Sequence, residues 1–154
     1  MMRESGPATC RYETPSDELR DSRRKVVVRL AGTDTVKTYV QWVAADGGET
    51  NLHAHPHTDG FWYVLTGRSL WYDEDDEVIA DLGPNEGIMI PQGTRYWFEA
   101  AGGEPLEILH VAVTHGGVDP RSDREDIRPA RPSVRAAAPP EPTATTAPSG
   151  ETDT

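Results

Sequence analysis

The chain has one cysteine, Cys10, so it can form neither an internal disulfide nor a cysteine-based zinc cluster. It has no apolar run longer than a few residues, which excludes a membrane-spanning helix. Met1 to Arg20 lacks the apolar stretch of a signal peptide, and a cytoplasmic address is expected. Basic residues are scarce, with 15 Lys and Arg against 26 Asp and Glu, a net charge of −11. Nucleic acids and anionic membrane surfaces need clustered cations, so neither is expected as a partner. There is no phosphate loop, no dinucleotide fingerprint and no nucleophile elbow around a serine. Hydrophobic residues make up only 36%, a fraction that points to an unstructured part.

What the chain does have is unevenly divided. Seven of its 13 prolines lie beyond residue 118, and residues 136–154 hold only Ala, Pro, Thr, Ser, Gly, Glu and Asp. Such a stretch has nothing to bury, so residues 118–154 read as a disordered Pro/Ala/Thr-rich tail. Residues 1–25 read as a polar, largely disordered segment in which Ser16 can cap a short helix reaching Arg24. The domain is expected at residues 26–117. The acidity belongs to it: residues 26–113 carry four basic side chains against 14 acidic ones. Five of those acids form the run Asp73–Glu77, which reads as a solvated hairpin loop.

Within this domain, short β-branched and aromatic runs are bounded by Gly, Pro, Asp or Asn. They are Val26–Leu30, Val36–Ala44, Phe61–Leu65, Ser69–Tyr72, Val78–Asp81, Ile88–Ile90, Tyr96–Phe98 and Leu106–Val113. With almost no helical periodicity beside them, they predict an all-β, single-domain jelly-roll barrel. Small jelly rolls often pair to cover an exposed sheet, so a homodimer is expected.

The chemistry-bearing residues are few. His53-Ala-His55-Pro-His57 closes a strand. Residues two apart on a strand face the same way, so His53 and His55 project side by side, as two imidazole ligands of one metal require. His110 lies in an apolar strand whose two faces are both apolar, so alternation does not decide its direction. His115, in Thr114-His-Gly-Gly, reads as an exposed turn residue. Trp62, Trp71, Tyr96 and Trp97 stand in or beside the same strands, and those that face inward would suit a flat organic ligand. Arg29, Lys37, Arg68 and Arg95 are the only anchors for an anion in the core, Arg95 beside Tyr96 foremost.

Two spaced patterns combine these residues. Gly47 to Gly67 runs G-x5-HxH-x4-G-x6-G, and Asn85 to Ala100 runs N-x5-PxG-x2-Y-x3-A. This resembles the motif pair of the cupin superfamily, G-x5-HxH-x4-E-x6-G and G-x5-PxG-x2-H-x3-N. The resemblance covers about residues 26–113 and implies the barrel of a small single-domain cupin. It also implies a divalent metal, zinc or iron first and manganese or nickel next, held by two histidines, a glutamate and a third histidine. Here Gly60 takes the glutamate position and Tyr96 the third-histidine position. Asp59, His57 or His110 can stand in, and Tyr96 can ligate as a phenolate. With Asp59 the set becomes two histidines and a carboxylate, which suits non-haem Fe(II). Otherwise the metal is lost.

The resemblance therefore implies one of two functions. The first is a divalent-metal-dependent enzyme acting on a small organic molecule inside the barrel, of cyclase, isomerase or dioxygenase type. Small cupins rich in histidine include polyketide cyclases of secondary metabolism. Tyr96 and Asp59 would be catalytic, and Trp62, Tyr96 and Arg95 would line the pocket. The second is a binding or regulatory cupin that has lost its metal.

Overall fold

The computed structural model describes residues 6–129, so the far end of the expected tail lies outside the described residues. The strands are β1 (Lys25–Gly32), β2 (Val36–Val43), β3 (Gly48–Ala54), β4 (Thr58–Thr66), β5 (Arg68–Tyr72), β6 (Val78–Leu82), β7 (Gly87–Ile90), β8 (Tyr96–Ala101), β9 (Leu106–Thr114) and β10 (Glu125–Arg128). One helix, α1 (Asp17–Ser22), precedes them, and a 3-10 turn (Pro120–Ser122) precedes β10. The strands form two five-stranded sheets, ordered β1-β2-β9-β4-β7 and β10-β3-β8-β5-β6. Every recorded pairing is antiparallel, and the alternation of sheets along the chain is that of a jelly roll.

Strand alternation explains the core. In β4, Thr58, Gly60, Trp62 and Val64 are buried while Asp59, Phe61 and Tyr63 are only half-buried. Opposite them in β9 stand Thr114, Ala112, His110 and Ile108. The β2 register continues the rows, placing Lys37 against Ala112, Tyr39 against His110 and Gln41 against Ile108. The first sheet thus presents graded rows to the interior, polar at one end and hydrocarbon (Val43, Val64, Leu106, Ile108) at the other. From the second sheet, Trp71 stacks on Phe98 with centroids 4.4 Å apart, and its Nε1 donates to Ser69 Oγ at 2.9 Å.

The outer face of the second sheet holds a smaller cluster of Leu52, Tyr72 and Trp97. The acidic hairpin closes over it. Asp76, at φ 63°, accepts hydrogen bonds from Trp97 Nε1 and from Arg128 Nη2, each at 2.8 Å. The hairpin is therefore anchored at Asp76 rather than wholly solvated. Glu99 is buried in the same layer and accepts from Tyr72 Oη at 2.5 Å.

Both ends of the described chain are tied to the barrel. Ser16 caps α1 by accepting from the Leu19 N–H, and ahead of it Tyr12 Oη and Thr14 Oγ1 donate to Glu107 Oε2 at 2.5 and 2.8 Å. At the other end the domain does not stop at residue 117, the boundary expected from the sequence. β10 pairs with β3, setting Glu125 against Ala54 and Asp126 against His53. This correction has a simple cause: three charged residues and a lone Ile127 carry no strand signal of their own, and an edge strand needs only backbone hydrogen bonds to join a sheet.

Candidate functional site

A cavity of about 140 Å3 opens at the polar end, between the sheets. Lys37 and Tyr39 reach it from β2, Gly60 from β4, Ile90 from β7, Tyr96 from β8, and His110 and Thr114 from β9. His55 borders it from the turn after β3, and Pro120 from the segment that follows β9. Among the described residues lining this cavity there is no Asp or Glu, although the chain carries 26 of them.

The two motif histidines share one orientation device. His53 Nδ1 donates to the Asn51 carbonyl at 2.9 Å, and His55 Nδ1 donates to the Asp123 carbonyl at 2.7 Å. A carbonyl only accepts, so each neutral ring carries its proton on Nδ1 and its lone pair on Nε2. The rings lie edge to face with centroids 5.1 Å apart, and His53 is 4.5 Å from the Tyr96 ring. His53 is fully buried behind the cavity wall; His55 borders the cavity itself.

The other expected site residues divide. His110 points inward and stacks on Trp62, with centroids 3.6 Å apart and planes within 7°. This settles the direction that alternation left open. Tyr96 lines the cavity, whereas Trp62, expected to line it too, is not among the lining residues and lies behind His110, on which it stacks. Asp59 does not reach it. It lies on the opposite face of β4, accepting from His115 Nε2 at 2.7 Å and from the Gln92 N–H at 2.9 Å. Those hydrogen bonds, with His115 contributing most, hold the Asp59 carboxyl below its ordinary value. His115 is thus a partner of Asp59 rather than a bare turn residue. Arg95 also points elsewhere, pairing with Glu74 at 3.1 Å.

His57 turns away toward Asp123, a residue the sequence did not single out. Buried Asp123 accepts from His57 Nδ1, from the His57 N–H and, at 2.6 Å, from Thr58 Oγ1. Burial alone would raise its carboxyl, but the hydrogen bonds from Thr58 and His57 outweigh it and hold the group below its ordinary range. Nothing in residues 118–124 announces this, because Asp123 gains its meaning only from partners more than sixty positions earlier. Lys37 and Tyr39 were legible in principle, since they alternate with Gln41 and Val43 along one strand face.

The donor set does not fit a resident metal. Two imidazoles are oriented by carbonyls, as metal ligands commonly are. However, position 60 has no side chain, Asp59 and His57 face elsewhere, and His110 is stacked on Trp62. Among the described residues no three His, Cys, Asp or Glu side chains are grouped to hold an ion, short of the three or four protein ligands that such sites use.

One further polar atom at the site is unsatisfied. Trp62 is 2% exposed, and its Nε1 has no hydrogen-bond partner among the described residues. A buried donor left unpaired costs about 1–3 kcal/mol.

The motif spacing and this barrel point the same way as the comparison with known families. A family model described as the cupin domain matches residues 40–112. Residues 40–112 are a cupin domain. Solved structures place this cupin among double-stranded β-helix proteins. One from Klebsiella pneumoniae is 16% identical over 77% of this chain and 87% of its own, with a TM-score of 0.59. The polyketide cyclase RemF from Streptomyces resistomycificus is 22% identical over 71% and 75%, with a TM-score of 0.57. A sugar phosphate isomerase from Silicibacter pomeroyi is 18% identical over 60% of each chain, with a TM-score of 0.53. At such identities the likeness of this cupin to each of them is one of fold. No curated protein matches its sequence.

Proposed function

We propose that this cupin binds a compact organic carbonyl compound in its barrel cavity and moves a proton on it, as an isomerase or cyclase does. The observation that carries this reading is the placement of His55 and His110 on the same cavity from opposite sheets, with His55 held as the Nδ1–H tautomer. His55 Nε2 is then the general base that takes a proton from the carbon beside the carbonyl, and the hydroxyls of Tyr39 and Tyr96 are at hand to donate to the oxygen. A cavity near 150 Å3 holds about six carbon atoms, so a polycyclic substrate does not fit inside. Among proteins of this fold are ones described as a polyketide cyclase and a sugar phosphate isomerase, which supports the reaction class.

The test is proton exchange. Small ketones and keto acids are incubated with the protein in D2O, and loss of the α-proton signal is followed by NMR. Exchange should exceed the buffer rate and fall at least about a hundredfold in His55→Asn. Prolonged EDTA dialysis should leave it unchanged. Exchange that vanishes with EDTA and returns with zinc or iron would restore the metal-dependent reading. Exchange at the buffer rate throughout would leave the binding-module reading, which the loss of the glutamate at position 60 favours.

A further inference from the structure

We infer that residues 116–122 form a lid over the mouth of the cavity and pivot on His57 to admit and enclose the ligand. The inference rests on the cavity-binding reading above and goes beyond it by assigning the route of entry. Pro120 borders the cavity together with Lys37, Thr58 and Thr114 of its polar rim, so this segment stands at the opening. Both ends of the segment are pinned to one residue. The His115 N–H donates to the His57 carbonyl at 2.8 Å, and the His57 N–H and Nδ1 each donate to the Asp123 carboxylate at 2.9 Å. Residues 116–122 therefore make a surface Ω-loop, a form of about 6–16 residues whose ends lie close together. A loop held at one point can turn about that point without unpairing any strand.

Between its pins the loop is fastened only to itself. Among the described residues, none of 116–122 hydrogen-bonds to the barrel. Asp119 instead closes the turn: its carbonyl accepts from the Ser122 N–H and its carboxylate from the Arg121 N–H, each at 3.0 Å. Residues 119–122 thus move as one piece. Val118 and Pro120 are half-buried, and the other five residues are exposed. Gly116 and Gly117, at φ 73° and 70°, supply the joint, and a Cβ on either would meet nothing within 4 Å. Charge draws the lid shut. Hydrogen bonds from Arg121 hold the Asp119 carboxyl below its ordinary value, and the Lys37 charge on the opposite rim adds to them. Asp119 and Lys37 attract without forming an ion pair among the described residues, a weak hold of the kind that a lid releases readily.

Diethyl pyrocarbonate, which acylates neutral imidazole, is the probe. It is read residue by residue by mass spectrometry at about pH 8, where an ordinary imidazole is neutral. His110 reports the cavity, and half-exposed His57 reports the reagent itself. In the native chain His110 should react far more slowly than His57. Asp119→Asn keeps the turn, because the amide oxygen still accepts from the Arg121 N–H, but removes the charge. It should speed the His110 reaction about two- to fivefold and leave His57 unchanged. Salt at about 1 M should have the same effect on the native chain and none on the variant. Relaxation dispersion of 15N-labelled protein locates the motion: the loop amides should share one exchange process in which His115 and Asp123 take no part. His110 reacting as fast as His57, or at one rate in both chains at low and high salt, overturns the lid. A loop without dispersion overturns it as well. Dispersion that includes His115 and Asp123 overturns the pivot, since the segment then leaves as a whole. None of these readouts needs a substrate, so the lid can fail while proton exchange in D2O succeeds, and the reverse.

Discussion

At the closed end of the barrel Val43, Val64, Leu106 and Ile108 are fully buried hydrocarbon, whereas at the mouth Thr58, Thr114, His55 and Asp123 exchange hydrogen bonds around an open cavity. The same strands build both ends: β4 runs from Thr58 at the mouth to Val64 in the core, and β9 from Thr114 to Leu106. The ends differ in what holds them. Dispersion and the hydrophobic effect fill one without directional demands. The other depends on specific acceptors, most of them supplied by a segment that follows the last barrel strand. Stability and chemistry are thus concentrated at opposite ends of one set of strands.

The largest expected effect tests the closed end. Ile108→Ala should cost about 2–5 kcal/mol in chemical denaturation, because it leaves a cavity in a core with little freedom to collapse. A cost under about 1 kcal/mol would mean that the closed end is not where stability resides. Next comes the mouth. Asp123→Ala removes the acceptor of Thr58 Oγ1 and of His57, and should cost about 1–3 kcal/mol. Hydrogen exchange should show the loss confined to β10, β3 and the 55–58 turn, with β2 and β9 still protected. Uniform loss across the barrel would erase the distinction between the ends.

A third prediction concerns the N-terminal segment, which braces β9 from outside through Glu107. Burial raises the Glu107 carboxyl, but hydrogen bonds from Tyr12, Thr14 and Thr66, with the charge of Arg20, hold it below its ordinary 4.5. Burial and the Glu107 carboxylate raise the Tyr12 phenol well above its ordinary 10.0. A lowered carboxyl stabilises above its unfolded value, and that contribution is lost as pH falls through the folded one. A raised phenol stabilises below its unfolded value, and that contribution is lost as pH rises past it. The brace should therefore hold between about pH 4.5 and 10 and loosen on both sides, seen as protease cleavage near Arg11. Tyr12→Phe should remove the alkaline limb and also weaken the acid one, because it deletes the hydrogen bond from Tyr12 that helps hold the Glu107 carboxyl down. The smallest effect is expected for Arg68→Ala. It breaks the exposed pair with Asp81, and such pairs contribute about 1 kcal/mol or less.

Much of the barrel was readable in the chain. Each of the eight β-branched or aromatic runs coincides with an observed strand, because burial on one face imposes the alternation that marks it. The His53 and His55 pair was readable for the same reason. Three features were not. β10 is three charged residues around a single Ile127, and its pairing with β3 rests on backbone groups that every sequence has. Glu99 looks like a strand breaker, yet it is buried beside Tyr72. Asp59 stands next to the vacated glutamate position, but a shift of one residue along a strand moves a side chain to the other face.

By itself the sequence determined the strands, which residues share a face, the cupin motif spacing and the absence of a glutamate at position 60. Alternation and spacing are local properties, and they survive in a one-dimensional record. Only the tertiary structure decided that His110 lies on Trp62, that both meet the space over Gly60, that Lys37 shares the cavity, and that Asp123 reaches back to orient His55 and His57. Each is a contact between strands or segments far apart in the chain. Parity tells which side chains share a face, and the fold alone tells which face is inward and what stands opposite it.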